Sequence, residues 1–559
     1  MKCKCGFENA ADARFCGNCR AALGDMPASA VPNEAASPAA PLVASGRGPI
    51  TARPVSRARI VIVTAVVVVA AVGYWWMNRS PGRYKPDNGG LYPINVNGKY
   101  GFMDRSGKTV ITPQFDGTGG FSEGLASVQI GPKWGYINTK GVVAITPQFD
   151  FAMPFRYGRA RVQLANRYGY IDKEGKYTGS PTFLWASEFS GEFAAVQTAD
   201  RALALVNQSG KTVLLAKVDT LGYEFNSGLL PAAAGGKWGF MDTTGKWVID
   251  PQFEGVAGFA DGLAPVRVGG RWGYIDQNGK FVVNPQYDFG GEFYDGYASF
   301  LTGGKSGFID TKGRVVVEAK FLKAYRFSNG LAAVESEEGW GAIDRTGKMV
   351  ISPQFDYVEA FQNGLARVSV LGKEAYITTT GAFVVEPFPK MTNAPEAVTA
   401  KRALYELYKP ALNWATDLLP LSMTSGEVPN VKNENGKAGM WTATFFSASR
   451  KETRSFTWAA ADSGTDIRKG SNVGSASPWQ GATPETFPFT RGELVVDSDA
   501  AYKTSVERAG VWLGTHPNQD ARFRLGAFKS AAPVWYVMWG TEEDGYSTVM
   551  FAKTGGIIR

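Results

Sequence analysis

The chain has 559 residues, a formal net charge of +8, four cysteines and one histidine, and these counts exclude several classes of function. Residues 1–59 hold 8 Lys/Arg against 4 Asp/Glu, so half of the excess lies there and the rest is too thinly spread for a nucleic-acid surface. No cysteine follows Cys19, which rules out Cys–His catalysis beyond that point, and a Ser–His–Asp triad would have to use His516.

In chain order, the first element is a cysteine cluster. Cys3, Cys5, Cys16 and Cys19 form two pairs around a ten-residue loop, a pattern that suits tetrahedral thiolate coordination of Zn2+. Two disulfides or free thiols are the alternative. Four thiolates leave no open coordination position, so the metal would be structural. The segment resembles the short zinc ribbon of bacterial protein N-termini through Phe15-Cys16-Gly17-Asn18-Cys19. Its first pair is Cys-x-Cys where Cys-x-x-Cys is usual. Residues 1–24 are read as this ribbon.

Residues 25–59 are rich in Ala, Pro, Ser and Val and read as a flexible linker. Ile60 to Met77 follow as eighteen residues without a charge. At about 1.5 Å per residue they reach about 27 Å, enough to cross a hydrocarbon core. Tyr74, Trp75 and Trp76 stand at the far end, where amphipathic rings favour the interface. The pattern predicts one transmembrane helix over 60–77. Thiolates favour a reducing compartment, and arginines precede the span. The expected orientation is therefore an N-terminus in the cytoplasm, a single pass through the inner membrane, and a periplasmic or extracellular bulk. Residues 78–89 form a second linker.

From residue 90 to 388 the chain repeats. Units open at Lys99-Tyr100-Gly101, Lys133-Trp134-Gly135, Arg167-Tyr168-Gly169, Lys237-Trp238-Gly239 and Arg271-Trp272-Gly273, with weaker copies at Lys305, Gly339 and Lys373. The step is 34 residues, except for 70 between Arg167 and Lys237, which leaves room for one degenerate unit near Arg201. A fixed period of this size means stacked supersecondary units. Within a unit, three runs rich in Val, Ile and aromatics are separated by Gly-Gly and Asn-Gly, which predicts a three-stranded antiparallel meander. In Asp-x-x-Gly, the carboxylate is expected to accept backbone N–H groups across the turn. Pro-Gln-Phe, as at Pro285-Gln286-Tyr287, is expected to mark where strand pairing stops. Repeated aromatics, including Phe259 and Phe293, are read as core between units.

These motifs together resemble the WG-repeat (KWG-repeat) proteins of bacteria, from Gly90 to about Glu386. The resemblance implies a β-rich repeat array and no defined catalytic activity. Meanders of this kind close as propeller blades or continue as an open superhelix. The reading here favours propeller-like closure.

After Pro389 two α+β modules are expected, 389–490 and 491–559. Residues 397–419 show helical spacing, with Lys401 and Arg402 on the polar side and a kink or break at Pro410. Residues 440–447 and 454–458 read as a hairpin. A second helix is predicted over 499–515 behind Asp497 and Ser498, then strands over 533–539 and 546–551. The second module loosely resembles PepSY-type exported modules through Ala500-Ala501, Trp535-Tyr536-Val537 and Ala552-Lys553-Thr554-Gly555. That resemblance implies a binding or peptidase-modulating role.

No pair of catalytic groups stands out, and no catalytic residue or organic cofactor site is assigned. The sequence therefore points to a non-enzymatic scaffold, anchored to membrane lipid by its span. Its array would engage an envelope protein or a glycan such as peptidoglycan, with no nucleic-acid partner. An envelope hydrolase using a carboxylate pair, or a transmembrane sensor, is the alternative.

Overall fold

The computed structural model describes residues 88–558 apart from 179–181, 216–217, 485, 529–531 and 542. The expected zinc ribbon with Cys3, Cys5, Cys16 and Cys19, the linker 25–59, the span 60–77 and residues 78–87 lie outside the described residues. Among the described residues no helix is long and apolar enough to cross a membrane.

Residues 92–385 form nine small antiparallel sheets that follow one another as the blades of a propeller-like ring. Blade 6 shows the pattern, with strands Gly255–Val256, Leu263–Val268, Arg271–Asp276 and Phe281–Tyr287 in that order. Seven blades have four strands where the sequence predicts three, because the Phe/Gly segment itself pairs as an innermost strand. Gly255 lies opposite Arg267, and Val256 opposite Val266. The turn chemistry is as expected. In blade 6 the Asp276 carboxylate accepts from the backbone N–H groups of Asn278 and Lys280, both at 2.9 Å.

Proline does not end the outer strand. Trp272 still pairs with Tyr287 beyond Pro285, after a register shift from Tyr274 opposite Val283. The strand bulges at the proline, and proline is tolerated on an edge at a bulge. This bulge explains the glycine after each aromatic: a Cβ on Gly273 would lie 2.5 Å from the Val283 carbonyl oxygen and 2.7 Å from Pro285 N. Blade 9 has Ala375 at that position, and its outer strand is a three-residue stretch, Phe383–Val385, that keeps the register shift between Tyr376 and Ile377 but ends before the second shift that the other blades make at the proline.

The degenerate segment forms blade 4, with Leu203–Asn207 in the place of the motif strand. Asn207 replaces the turn aspartate and accepts from Ser209 and Lys211 N–H at 3.1 and 2.9 Å.

Aromatics fill the seams, as expected. Phe102 meets Phe121 at 4.6 Å, Tyr170 meets Phe189 at 4.7 Å and Phe240 meets Phe259 at 4.7 Å, each pair joining adjacent blades. The last seam closes the ring. Tyr376 of blade 9 donates its hydroxyl to the Pro93 carbonyl of blade 1 at 2.6 Å, and Tyr92 donates to the Asn363 carbonyl at 3.0 Å. Tyr92 stands where the other blades have Ala126, Ala160, Ala194, Leu230, Ala264, Ala298, Ala332 or Ala366. Blade 1 has no inner strand among the described residues, and the Tyr92 ring packs there against Tyr376 at 6.1 Å. The open superhelix is therefore set aside.

Beyond the ring, helix α1 (Ala400–Trp414) and helix α2 (Ser498–Thr515) pack on one face of a seven-stranded antiparallel sheet. Ala400, Ala403, Leu404, Leu407 and Ala411 give α1 its buried stripe, and the helix runs unbroken through Pro410. Lys401 and Arg402 are not on a polar face but buried. Lys401 Nζ donates to the Val495 carbonyl at 2.7 Å, and Arg402 pairs with Glu406 at 2.7 Å. The predicted helix over 499–515 begins one residue earlier, with Asp497 accepting from Ser498 N–H at 2.8 Å.

The two helix-plus-strand modules share this one sheet through Met423 opposite Leu525 and Thr424 opposite Arg524. They also share a device. Buried Trp441 and Trp535 each donate the indole N–H at 2.9 Å to a valine carbonyl, Val398 and Val496, two residues before the helix of their own half.

The C-terminal domain seats against blades 8 and 9. Arg491 is buried and donates to the Gln354 carbonyl, reaches the Glu338 carbonyl at 3.3 Å and lies 4.5 Å from the Tyr408 ring. Gly339, which stands where every other blade but blade 4 carries Lys or Arg, leaves room for it: a Cβ there would be 3.1 Å from Arg491 Nη2.

Candidate functional site

The site is built from residues that flank the inner phenylalanine of each blade. Phe155, Phe189, Phe225, Phe259, Phe293 and Phe327 turn into the seams and are buried. Side chains alternate along a strand, so the residue before or after each phenylalanine faces elsewhere. In blades 3 to 8 those neighbours include Arg156, Glu188, Glu224, Asn226, Glu292 and Arg326.

Arg156 sits in a tight turn whose backbone bonds to Arg159 measure 2.8 and 3.0 Å. Its Nη1 reaches Glu188 of blade 4 at 2.8 Å and Glu224 of blade 5 at 2.7 Å. One guanidinium spans three blades, which is possible only where their inner ends converge. Burial works against the Arg156 charge, but Glu224 and Glu188 outweigh it and its pKa rises. Removing one partner of such a buried pair costs about 3–5 kcal/mol.

Glu292 is half-buried on blade 7. Burial pushes its carboxyl up to about 7, and the Glu224 charge adds to that rise. The Gly258 N–H, which donates at 2.8 Å, and the Arg326 charge oppose it. Arg326 lies 4.6 Å over the Tyr294 ring. Gly258 occupies the same repeat position in blade 6, and a Cβ there would be 2.6 Å from Asn226 Nδ2 and 3.2 Å from Glu292 Oε1. The result is a charged inner rim on one side of the ring, with a carboxyl that takes up or releases a proton near neutrality.

A second set of charges lies outside this rim. In three units the lysine or arginine that opens the motif pairs with the acid seventeen residues later: Lys99 with Asp116 at 2.5 Å, Lys133 with Asp150 at 2.6 Å, and Arg271 with Asp288. These pairs are solvent-exposed, so each is worth little.

Among the described residues no group of three or more His, Cys, Asp or Glu could hold a metal. The zinc candidates Cys3, Cys5, Cys16 and Cys19 lie outside them. His516 ends α2, stacks on Trp512 at 4.2 Å and lies 3.2 Å from Asp544. Its Nδ1 lies 2.9 Å from the hydroxyl of the adjacent Thr515 and 3.0 Å from the Trp512 carbonyl, contacts local to the helix end, and it is far in sequence from the rim. The rim residues carry no motif of their own. Their only signal is position, one residue from the Phe of the Phe/Gly segment.

A family described as "WG containing repeat" matches residues 100–134, 134–168, 168–200, 238–272, 272–305, 307–338 and 340–373. The chain thus carries WG repeats across 100–373, and the unmatched interval 201–237 takes in the last two strands of blade 4 and the first two of blade 5. No curated protein matches the chain. Similar solved structures include Kluyveromyces lactis Hsv2p, 10% identical over 58% of this chain and 96% of that one, with a TM-score of 0.25. A chain of the S. cerevisiae dbp5 assembly bound to nup159 and gle1 is 11% identical over 47% of this chain and 85% of that one, with a TM-score of 0.21. Scores this low carry no argument about fold or function.

Proposed function

We propose that this WG-repeat chain is a membrane-anchored scaffold whose ring binds an envelope protein or glycan at its charged inner rim. The observation that carries the reading is Arg156 bridging Glu188 and Glu224, a polar centre in a repeat whose recurring positions build turns and seams. Repeat rings gather many loops around one axis and serve as binding platforms. In this reading residues 60–77 cross the inner membrane, the ring lies outside, and Cys3, Cys5, Cys16 and Cys19 fold around structural Zn2+ in the cytoplasm. The PepSY-like resemblance of 491–559 fits an exported binding module. The test is co-sedimentation of the full-length protein with purified peptidoglycan, alongside affinity capture from envelope extract. Binding that is saturable and lost in Glu224→Gln with the fold intact supports the rim. Binding unchanged in that variant contradicts it.

One observation favours a second reading, hydrolysis of an envelope polymer. Burial and then the Glu224 charge push the Glu292 carboxyl up to about 7, so two carboxyl groups interact on this rim, as the pair of an acid–base hydrolase does. Release of reducing ends or peptides from peptidoglycan by the wild type, and none by Glu292→Gln, would establish it.

A further inference from the structure

The seven-stranded sheet buries one face under α1 and α2, while the opposite face carries a different chemistry. Register aligns a row of polar side chains across six strands. Asn472 lies opposite Thr457, Thr457 opposite Thr442, and Thr442 opposite Thr424. Thr424 lies opposite Arg524, and Arg524 opposite Tyr536. At about 4.8 Å per strand the row is about 24 Å long. Ser422, Thr444 and Ser455 form a shorter row beside it. Arg522, two residues from Arg524, adds a second cation to the same face.

The hydroxyls are organised rather than scattered. Thr442 bonds Thr457 at 2.9 Å, and Thr444 bonds Ser455 at 2.9 Å. Thr424, Arg522 and Arg524 are exposed. Arg522 gives one N–H to the Gly540 carbonyl at 2.7 Å, and a guanidinium retains further donors for a ligand. Among the described residues, no strand position on this face is Asp or Glu, from Ser422 through Phe551. The face is thus cationic, donor-rich and linear.

We propose that this face binds a linear acidic polysaccharide, with Arg522 and Arg524 taking carboxylates and the Ser/Thr rows meeting sugar hydroxyls. Hydroxyl side chains both donate and accept, as sugar hydroxyls do, and arginine forks match carboxylates. Two arginines are too few to carry a nucleic acid by its phosphates, where each contact is one increment of salt-sensitive affinity. This site is separate from the inner rim and stands or falls without it.

The test uses the full-length protein in detergent and three probes: polygalacturonate, dextran and a thymidine oligonucleotide. Polygalacturonate should bind, weaken as salt rises, and lose at least tenfold in affinity in Arg522→Ala/Arg524→Ala. Thr442→Val/Thr457→Val, which keeps side-chain shape, should weaken binding severalfold with an unchanged melting temperature. The proposal is overturned if polygalacturonate fails to bind, or if dextran binds as tightly. It is also overturned if the oligonucleotide binds more tightly, or if the arginine pair can be removed without effect.

Discussion

At the scale of single residues, the rim sets the pH behaviour. Glu292 has a folded pKa of about 7, above the roughly 4.3 of an unfolded glutamate. The folded state therefore holds this proton better. Stability from this group is greatest below about pH 4.3 and declines as pH rises towards 7, where the buried carboxyl ionises. Glu292→Gln removes that penalty. It should raise stability by roughly 1–2 kcal/mol at pH 8 and by nothing measurable at pH 4, since partial solvent access screens the charge. Equal gains at both pH values, in thermal melts, would show that the carboxyl does not titrate there. Arg156 acts in the opposite sense. Arg156→Ala leaves Glu188 and Glu224 facing each other without a cation and should cost roughly 3–5 kcal/mol in denaturant titrations at pH 7.

At the scale of elements, the glycine after each aromatic and the bulge of the outer strand are one device. Gly273→Ala would push a Cβ into the Val283 carbonyl and should cost about 1–3 kcal/mol. The converse change, Ala375→Gly in blade 9, touches a blade that lacks the second register shift at the proline and should cost less than about 1 kcal/mol. Chemical denaturation of both variants checks the pair, and equal losses would uncouple glycine from bulge.

The same elements show what the sequence made legible. The 34-residue step, the Asp-x-x-Gly turns, the seam aromatics and the strand Met440–Ser447 follow from periodicity and turn chemistry, which are local. The fourth strand escaped notice because in several blades it is two residues long, as at Gly255–Val256, too short to alternate visibly. The strands Leu418–Gly426, Gly470–Pro478 and Ala521–Phe528 escaped too. The middle one is mostly Gly, Ser and Ala, and it is held by a partner rather than by its own propensity. The burial of Lys401 and Arg402 is hidden for a related reason: their charges suggest solvent, but Lys401 finds the Val495 carbonyl of the second module and Arg402 pairs with Glu406 of its own helix. The rim residues sit at variable positions of the repeat, where a reading of recurring motifs does not look.

At the scale of the whole molecule, one irregular repeat is explained by another domain. Gly339 departs from the Lys/Arg that opens other units because Arg491 occupies that space. Restoring the motif with Gly339→Lys should therefore destabilise, by roughly 2 kcal/mol or more, because the backbone there has φ of +126° and Arg491 must move. A stabilised variant would show that the docking contact does not constrain blade 8.

Closure of the ring was undecided from sequence because it depends on the small rotation between blades, which no single unit encodes. The proposed rim site depends on it as well, since all the blades converge on a common rim only in a closed ring. The most direct test places a photo-crosslinking phenylalanine analogue at Tyr376 in the full-length protein and maps the products by mass spectrometry. The closed ring requires an intrachain link to blade 1, within residues 91–103, because Tyr92, Met103 and Tyr376 share one buried cluster. Links confined to blades 8 and 9 in a folded protein would contradict closure, and with it the converged rim.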